Sequence, residues 1–175
     1  MMGQFIYGLI KILLLAFTTG ACSAMDYQTT IKNLDIKKFM GKWYVNAGRV
    51  TFLEKKAFNP IELYEWNEKK ERVDITFTFN KNSIDGKLKT IPQKGNIHNK
   101  ETNAHWKVSP FWPLSFDYLV LAVSEDYNWT AIGVPSQKYL WIMTRDPSPD
   151  QDFLNHIINK VSEMKYDISE LIYFQ

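Results

Sequence analysis

A chain of 175 residues, 45% hydrophobic and 23% charged, is long enough for one domain with a full core. Its net charge of +2 is too small for a nucleic-acid footprint, and its lysines and glutamates are interspersed, as on solvated loops and strand edges. The aromatic share is 15%, with Trp43, Trp66, Trp106, Trp112, Trp129 and Trp141 spread along the chain, which points to a β-rich core.

The first two dozen residues read as a leader. Lys11 precedes the apolar run Ile12 to Phe17, and the small residues Thr18, Thr19, Gly20, Ala21, Cys22 and Ser23 follow. A charged start, a short apolar run and small residues before a cut mark an export signal. Counted even from Phe5 to Phe17, the run is too short for a spanning helix. Gly20-Ala21-Cys22 resembles a bacterial lipobox, whose cysteine is lipidated after cleavage and becomes the mature N-terminus. That resemblance makes residues 1–21 a lipoprotein signal peptide, 22–33 a lipidated tether and 34–175 the folded domain. Ser23 after the cysteine implies sorting to the outer membrane, with the periplasmic face expected. Cleavage after Ala24, giving a soluble periplasmic chain, is the alternative, since Thr19 stands where the box usually has leucine. Cys22 is the only cysteine, so no intramolecular disulfide supports the exported fold.

Met25 to Lys32 reads as a short polar tether, and Leu34 to Met40 as a helical turn. Strand-like segments then recur at the spacing of a barrel or sandwich: Trp43 to Arg49, Pro60 to Asn67, Val73 to Asn80, and a run after the Asp85-Gly86 turn to about His98. Val73, Ile75, Phe77 and Phe79 alternate most cleanly. Thr102 to Val108 comes next and ends at a loop bounded by Pro110 and Pro113. Phe116 to Val123, Trp129 to Val134 and Tyr139 to Thr144 bring the expected total to eight. The period then changes: Phe153, Leu154, Ile157, Ile158, Val161 and Met164 form one helical stripe. Ser148 is placed as its cap, Pro149 at its first position and Gln151 in a capping box. Leu171 to Phe174 adds a short strand. Sequential antiparallel strands with short turns predict an all-β fold, an eight-stranded up-and-down barrel with one C-terminal helix packed outside. A barrel of that size is filled by side chains or holds one small ligand.

Three segments carry a resemblance to a known family. Gly41-Lys42-Trp43-Tyr44 opens the first strand, Glu125-Asp126-Tyr127 joins the sixth to the seventh, and Tyr139-Leu140-Trp141-Ile142-Met143-Thr144-Arg145 ends in an arginine. In this order, and followed by a helix, they resemble the three motifs of the lipocalins, specifically the bacterial outer-membrane lipoprotein branch. The resemblance implies that Arg145 lies across the Trp43 ring and that the two close the barrel bottom. It also implies a small hydrophobic ligand, a fatty acid or lysophospholipid, bound, stored or carried at the bacterial envelope.

Cavity candidates follow from alternation. With Trp43 and Arg145 inward, so are Val45, Ala47, Met143, Trp141 and Tyr139; Phe77 and Phe79 share one face, and Trp66 and Tyr118 reach the lumen. Lys89, Lys94 and His98 read as solvated surface near strand ends, with a ligand carboxylate or phosphate as their other use. Paired acids such as Glu62 and Glu65, or Asp150 and Asp152, read as surface charge.

Catalytic residues, bound metal and cofactors are not expected. The barrel segment has no cysteine nucleophile, and His98, His105 and His156 belong to different elements without metal-ligand spacing. Only His105 is a remote candidate for an inward haem ligand. The alternatives are a lipid- or pigment-modifying barrel enzyme, which needs a buried, perturbed acid or histidine in the lumen, and an interaction module with a filled barrel that docks through Ser109 to Ser115. A homodimer is compatible with either.

Overall fold

The computed structural model describes residues 27–52 and 54–174. Cys22 and the leader lie outside the described residues. A one-turn helix α1 (Ile36–Phe39) leads into β1 (Gly41–Arg49), then β2 (Ala57–Asn67), β3 (Arg72–Lys81), β4 (Leu88–Asn99), β5 (His105–Ser109), β6 (Phe116–Val123), β7 (Trp129–Gly133) and β8 (Leu140–Thr144). Helix α2 (Gln151–Glu163) and a two-residue β9 (Ile172–Tyr173) complete the chain.

Strands β2 to β8 pair antiparallel in sequence order, β8 pairs with β1, and β1 returns to β2, so the eight-stranded barrel closes. The β1–β2 seam is short: Gly41 to Tyr44 pair with Tyr64 to Ile61. Beyond it β9 takes the free edge of β1, with Ala47 opposite Tyr173 and Gly48 opposite Ile172. The residue after β9, Phe174, donates its N–H to Asn46 O at 2.8 Å and packs against Phe77, Phe79 and their neighbours.

Helix α2 covers the outer wall. It buries Leu154, Ile157, Ile158 and Val161 against Leu119, Leu121, Ala131, Leu140 and Ile142. Each such aliphatic side chain contributes roughly 1.5–3 kcal/mol when fully buried. The helix starts two residues later than its proline suggests. Asp150 is the N-cap and accepts from Phe153 N–H at 2.7 Å, whereas Ser148 N–H is held by Asp146 Oδ1 at 2.8 Å. A carboxylate answers the helix N-terminus well, so the acid displaces the serine from the capping role.

The segment read as a polar tether is docked from Tyr27 onward. Tyr27 N–H donates to Pro135 O at 2.7 Å, its hydroxyl donates to Met164 O at 3.1 Å, and its ring meets Tyr166 edge-on at 4.9 Å. Ile31 N–H donates to Val120 O at 3.1 Å.

Candidate functional site

The barrel has unlike ends because the connections alternate. Helix α1 and the β2–β3, β4–β5 and β6–β7 turns share one end; the β1–β2, β3–β4, β5–β6 and β7–β8 connections share the other.

The first end is shut by Arg145. Its guanidinium carbon lies 3.6 Å from the Trp43 ring centroid, and its nitrogens donate to five backbone carbonyls. Lys38, Phe39 and Met40 accept at 3.0, 3.2 and 2.8 Å, Lys42 at 2.6 Å and Tyr127 at 3.3 Å. Most of these are the orphan carbonyls that end α1, and a cation there answers both their unmade hydrogen bonds and the helix dipole. Trp43 Nε1 donates to Phe39 O at 2.8 Å, so the indole is fixed by the same turn. Gly41 has φ +96°, and a Cβ there would stand 3.3 Å from the guanidinium, which is why glycine opens the strand. Asp126 accepts from Asn128 N–H at 3.2 Å and shapes the β6–β7 turn, while Tyr127 Oη accepts from Asp35 N–H at 2.9 Å. Gly41, Trp43, Asp126, Tyr127 and Arg145 thus meet at one lid; Tyr44, on the alternate face of β1, stands outside it with Lys42 Nζ 5.8 Å from its ring centroid.

Above the lid the lower barrel is filled. Phe39, Trp43, Tyr64, Trp106, Val73, Ile75 and Val120 are buried in one cluster, and the Trp106 and Tyr118 rings stack at 5.4 Å. Trp66 packs on this cluster opposite Val73, at the closed end. Val45 and Met143 are cross-strand partners buried in the same cluster, with Trp141 packed partly buried against it. Phe77 and Phe79 are buried further toward the open end, with Ala57, Ile91 and Phe174 around them. Tyr139 precedes β8 and lies 5.9 Å from Trp141, ring to ring.

Ala47 departs from expectation. The β1–β8 register slips between Val45 and Ala47, a β-bulge at Asn46 that turns Ala47 to the helix side with Leu140 and Ile142. Asn46 is held there by Thr144 Oγ1, which donates to its Oδ1 at 2.8 Å.

Glu62 is a second correction. It is not surface charge: it lies beside Trp43 and Phe77 in the ladder, on the face of Tyr64, and its Oε2 is buried without a partner among the described residues. Burial pushes its carboxyl well above the usual range, and the carboxylate of Glu54 acts in the same direction. Glu54 reaches in from the β1–β2 connection and accepts from Trp141 Nε1 at 2.8 Å. Tyr64 and Tyr118 share a hydrogen bond of 2.6 Å between their hydroxyls, and burial raises both phenols well above their ordinary value. Alternation held the signal for Glu62, since a strand with Tyr64 and Trp66 inward places Glu62 inward as well.

Glu62 and Tyr118 face inward, beside Tyr64 and Trp106, and both keep part of their surface accessible. Trp141, Ile91 and Lys89 share this half-buried state. Lys89 pairs with Phe79 on the inward face of β4, nearer the open end, whereas Lys94 pairs with Asp74 on the outward face and is exposed. His98 is also exposed. His105 does not enter the lumen; it lies on the face opposite Trp106, 2.6 Å from Asp117. Among the described residues no cluster of histidine, cysteine and carboxylates has metal-holding geometry. Phe111 and Trp112 are 64% and 90% exposed on the β5–β6 connection, and Phe52 and Ile84 project from neighbouring connections at the open end.

The arrangement is a cup: a sealed floor, an aromatic wall, a polar group set into the floor and apolar tips at the mouth. Comparisons agree. The lipocalin-like domain family matches residues 34–175. Temperature-induced lipocalin-1 of Arabidopsis thaliana is 29% identical over 147 residues, covering 81% of this chain and 78% of that protein. Outer membrane lipoprotein Blc is 23% identical in Vibrio cholerae, across 95% of this chain and 97% of that one, and 25% identical in Escherichia coli K12, across 91% of each. Insecticyanin from the tobacco hornworm Manduca sexta superposes with a TM-score of 0.66 at 16% identity, over 86% of this chain and 85% of that one. The cockroach allergen Per a 4 gives 0.62 at 15% identity, over 86% and 94%. These structural likenesses speak for the fold, and with the family match across the whole barrel the chain belongs to the lipocalins.

Proposed function

We propose that this chain is a lipid-anchored lipocalin of the bacterial envelope that binds, stores or carries a fatty acid or lysophospholipid in its cup. The carrying observation is the inward wall of Val45, Phe77, Phe79, Trp141 and Met143 above the Trp43–Arg145 lid. An apolar chain entering this space loses its contact with water, and each buried methylene contributes about 0.8 kcal/mol. A dozen carbons contribute about 10 kcal/mol before the cost of association is subtracted. Tyr118 and Tyr139 join the wall as contacts nearer polar groups, and Trp66 supports the floor. The mechanism is burial and needs no catalytic group.

Native mass spectrometry followed by organic extraction tests this reading. A co-purified acyl lipid near one per chain is the expected result. An empty barrel whose tryptophan emission is unchanged on titration with fatty acids would overturn it.

Anchoring is supported by the Gly20-Ala21-Cys22 box and by relatives named as outer membrane lipoproteins. Cys22→Ala is expected to move the protein from the membrane to the soluble fraction of fractionated cells. A protein equally soluble with and without Cys22 would refute the anchor and leave the cup reading standing.

A further inference from the structure

The floor of the cup carries chemistry that an acyl chain does not use. Glu62 Oε2 is buried without a partner among the described residues, and leaving such an atom unpaired is costly. The Tyr64 and Tyr118 hydroxyls, 2.6 Å apart, share one proton in their bond; the accepting hydroxyl keeps its own proton with no other partner among the described residues. Glu62 and Tyr64 are two residues apart on the same face of β2, so an acceptor and a donor stand side by side. Both Glu62 and Tyr118 face inward and keep accessible surface. Glu54, the second carboxylate of this interior, adds negative charge, whereas the inward cation Lys89 lies nearer the mouth.

We propose that Glu62 and the Tyr64–Tyr118 pair form a polar anchor for the inner end of the ligand, and that this end is a neutral hydroxyl or amide rather than a carboxylate. Such a group donates to Glu62 and accepts from the free tyrosine proton, completing both. An anionic end meets the Glu54 carboxylate in the same interior and is directed instead to Lys89, nearer the mouth. The proposal deepens the lipid-binding reading and rests on it: the bound molecule carries its neutral polar group inward, at the far end of the apolar body.

The test uses the full chain at neutral pH, with dodecan-1-ol and dodecanoate as probes read by tryptophan quenching. Glu62→Leu is expected to weaken dodecan-1-ol about fivefold or more, the effect of one lost hydrogen bond, and to leave dodecanoate as tight or tighter. Tyr64→Phe combined with Tyr118→Phe, which keeps both rings and removes both hydroxyls, is expected to weaken the alcohol selectively as well. The alcohol binding equally to all three proteins, or both probes weakening by one factor, would overturn the anchor while the cup reading stands. Neither probe binding the unmodified chain would overturn both readings.

Discussion

Arg145→Ala is expected to lower the stability of the barrel by about 3 kcal/mol, the net of several partly exposed charge-assisted hydrogen bonds. The guanidinium donates to five carbonyls and covers the Trp43 ring, so its removal orphans the end of α1 and unroofs the indole together. Hydrogen bonds to a charged group contribute about 1.5–3 kcal/mol each and the cation–π contact about 0.5–2 kcal/mol. The full total is not reached, because one nitrogen serves three acceptors and water reaches the half-exposed group once it is gone. At this chain length about 3 kcal/mol corresponds to a melting temperature roughly 6–12 °C lower. Arg145→Lys keeps the charge but not the planar fork, and is expected to recover about 1 kcal/mol of the loss. Urea unfolding followed by tryptophan emission reads both variants. An alanine variant within about 0.5 kcal/mol of the parent, the usual spread of surface changes, would show that the lid does not hold the barrel shut.

The lid was legible in the sequence because each of its members is a demanding residue. Gly41 needs a positive φ, Trp43 a large socket and Arg145 a set of acceptors, and it was the resemblance of their three motifs to the lipocalins that implied Arg145 over Trp43. The alternation of Val73, Ile75, Phe77 and Phe79 also survives folding unchanged, since β3 pairs with β4 without a slip. Ala47 was lost to a bulge: one inserted residue reverses every later side chain, and Asn46 is not a residue that announces it. The helix start was misplaced because Pro149 suits a first turn, whereas the stronger cap, Asp150, lies one residue on. Glu62 was hidden by a rule of composition. Glutamate is almost always solvated, so the alternation that turns Glu62 inward with Trp66 was overruled, and the pairing of β2 with Trp43 and Phe77 shows the inward placement.

That inward glutamate has a signature in the pH dependence of stability. Its folded-state pKa is raised above the ordinary 4.5 by burial, so the folded protein holds a proton that the unfolded chain releases. Below about pH 4.5 both states are protonated and Glu62 costs nothing extra by this route; as the pH rises through and beyond that value, the unfolded state gains by ionising and stability falls. Glu62→Gln keeps the shape and removes the titration. The variant is therefore expected to match the parent at low pH and to exceed it at neutral pH, by about 1.4 kcal/mol for each pH unit over which the folded carboxyl keeps its proton and the unfolded one does not. Urea midpoints of the two proteins compared from acid to neutral pH give the difference curve, in which the other carboxyl groups, Glu54 included, largely cancel. A curve that stays flat, or a variant less stable than the parent at neutral pH, would place Glu62 in contact with water and remove it from the floor of the cup. A residue that lowers the stability of the empty barrel at neutral pH is better accounted for by what the barrel holds than by how it folds. A bound hydroxyl or amide that completes the hydrogen bonds of Glu62 stabilises the folded state by mass action, so the gap between parent and variant narrows as such a ligand fills the cup.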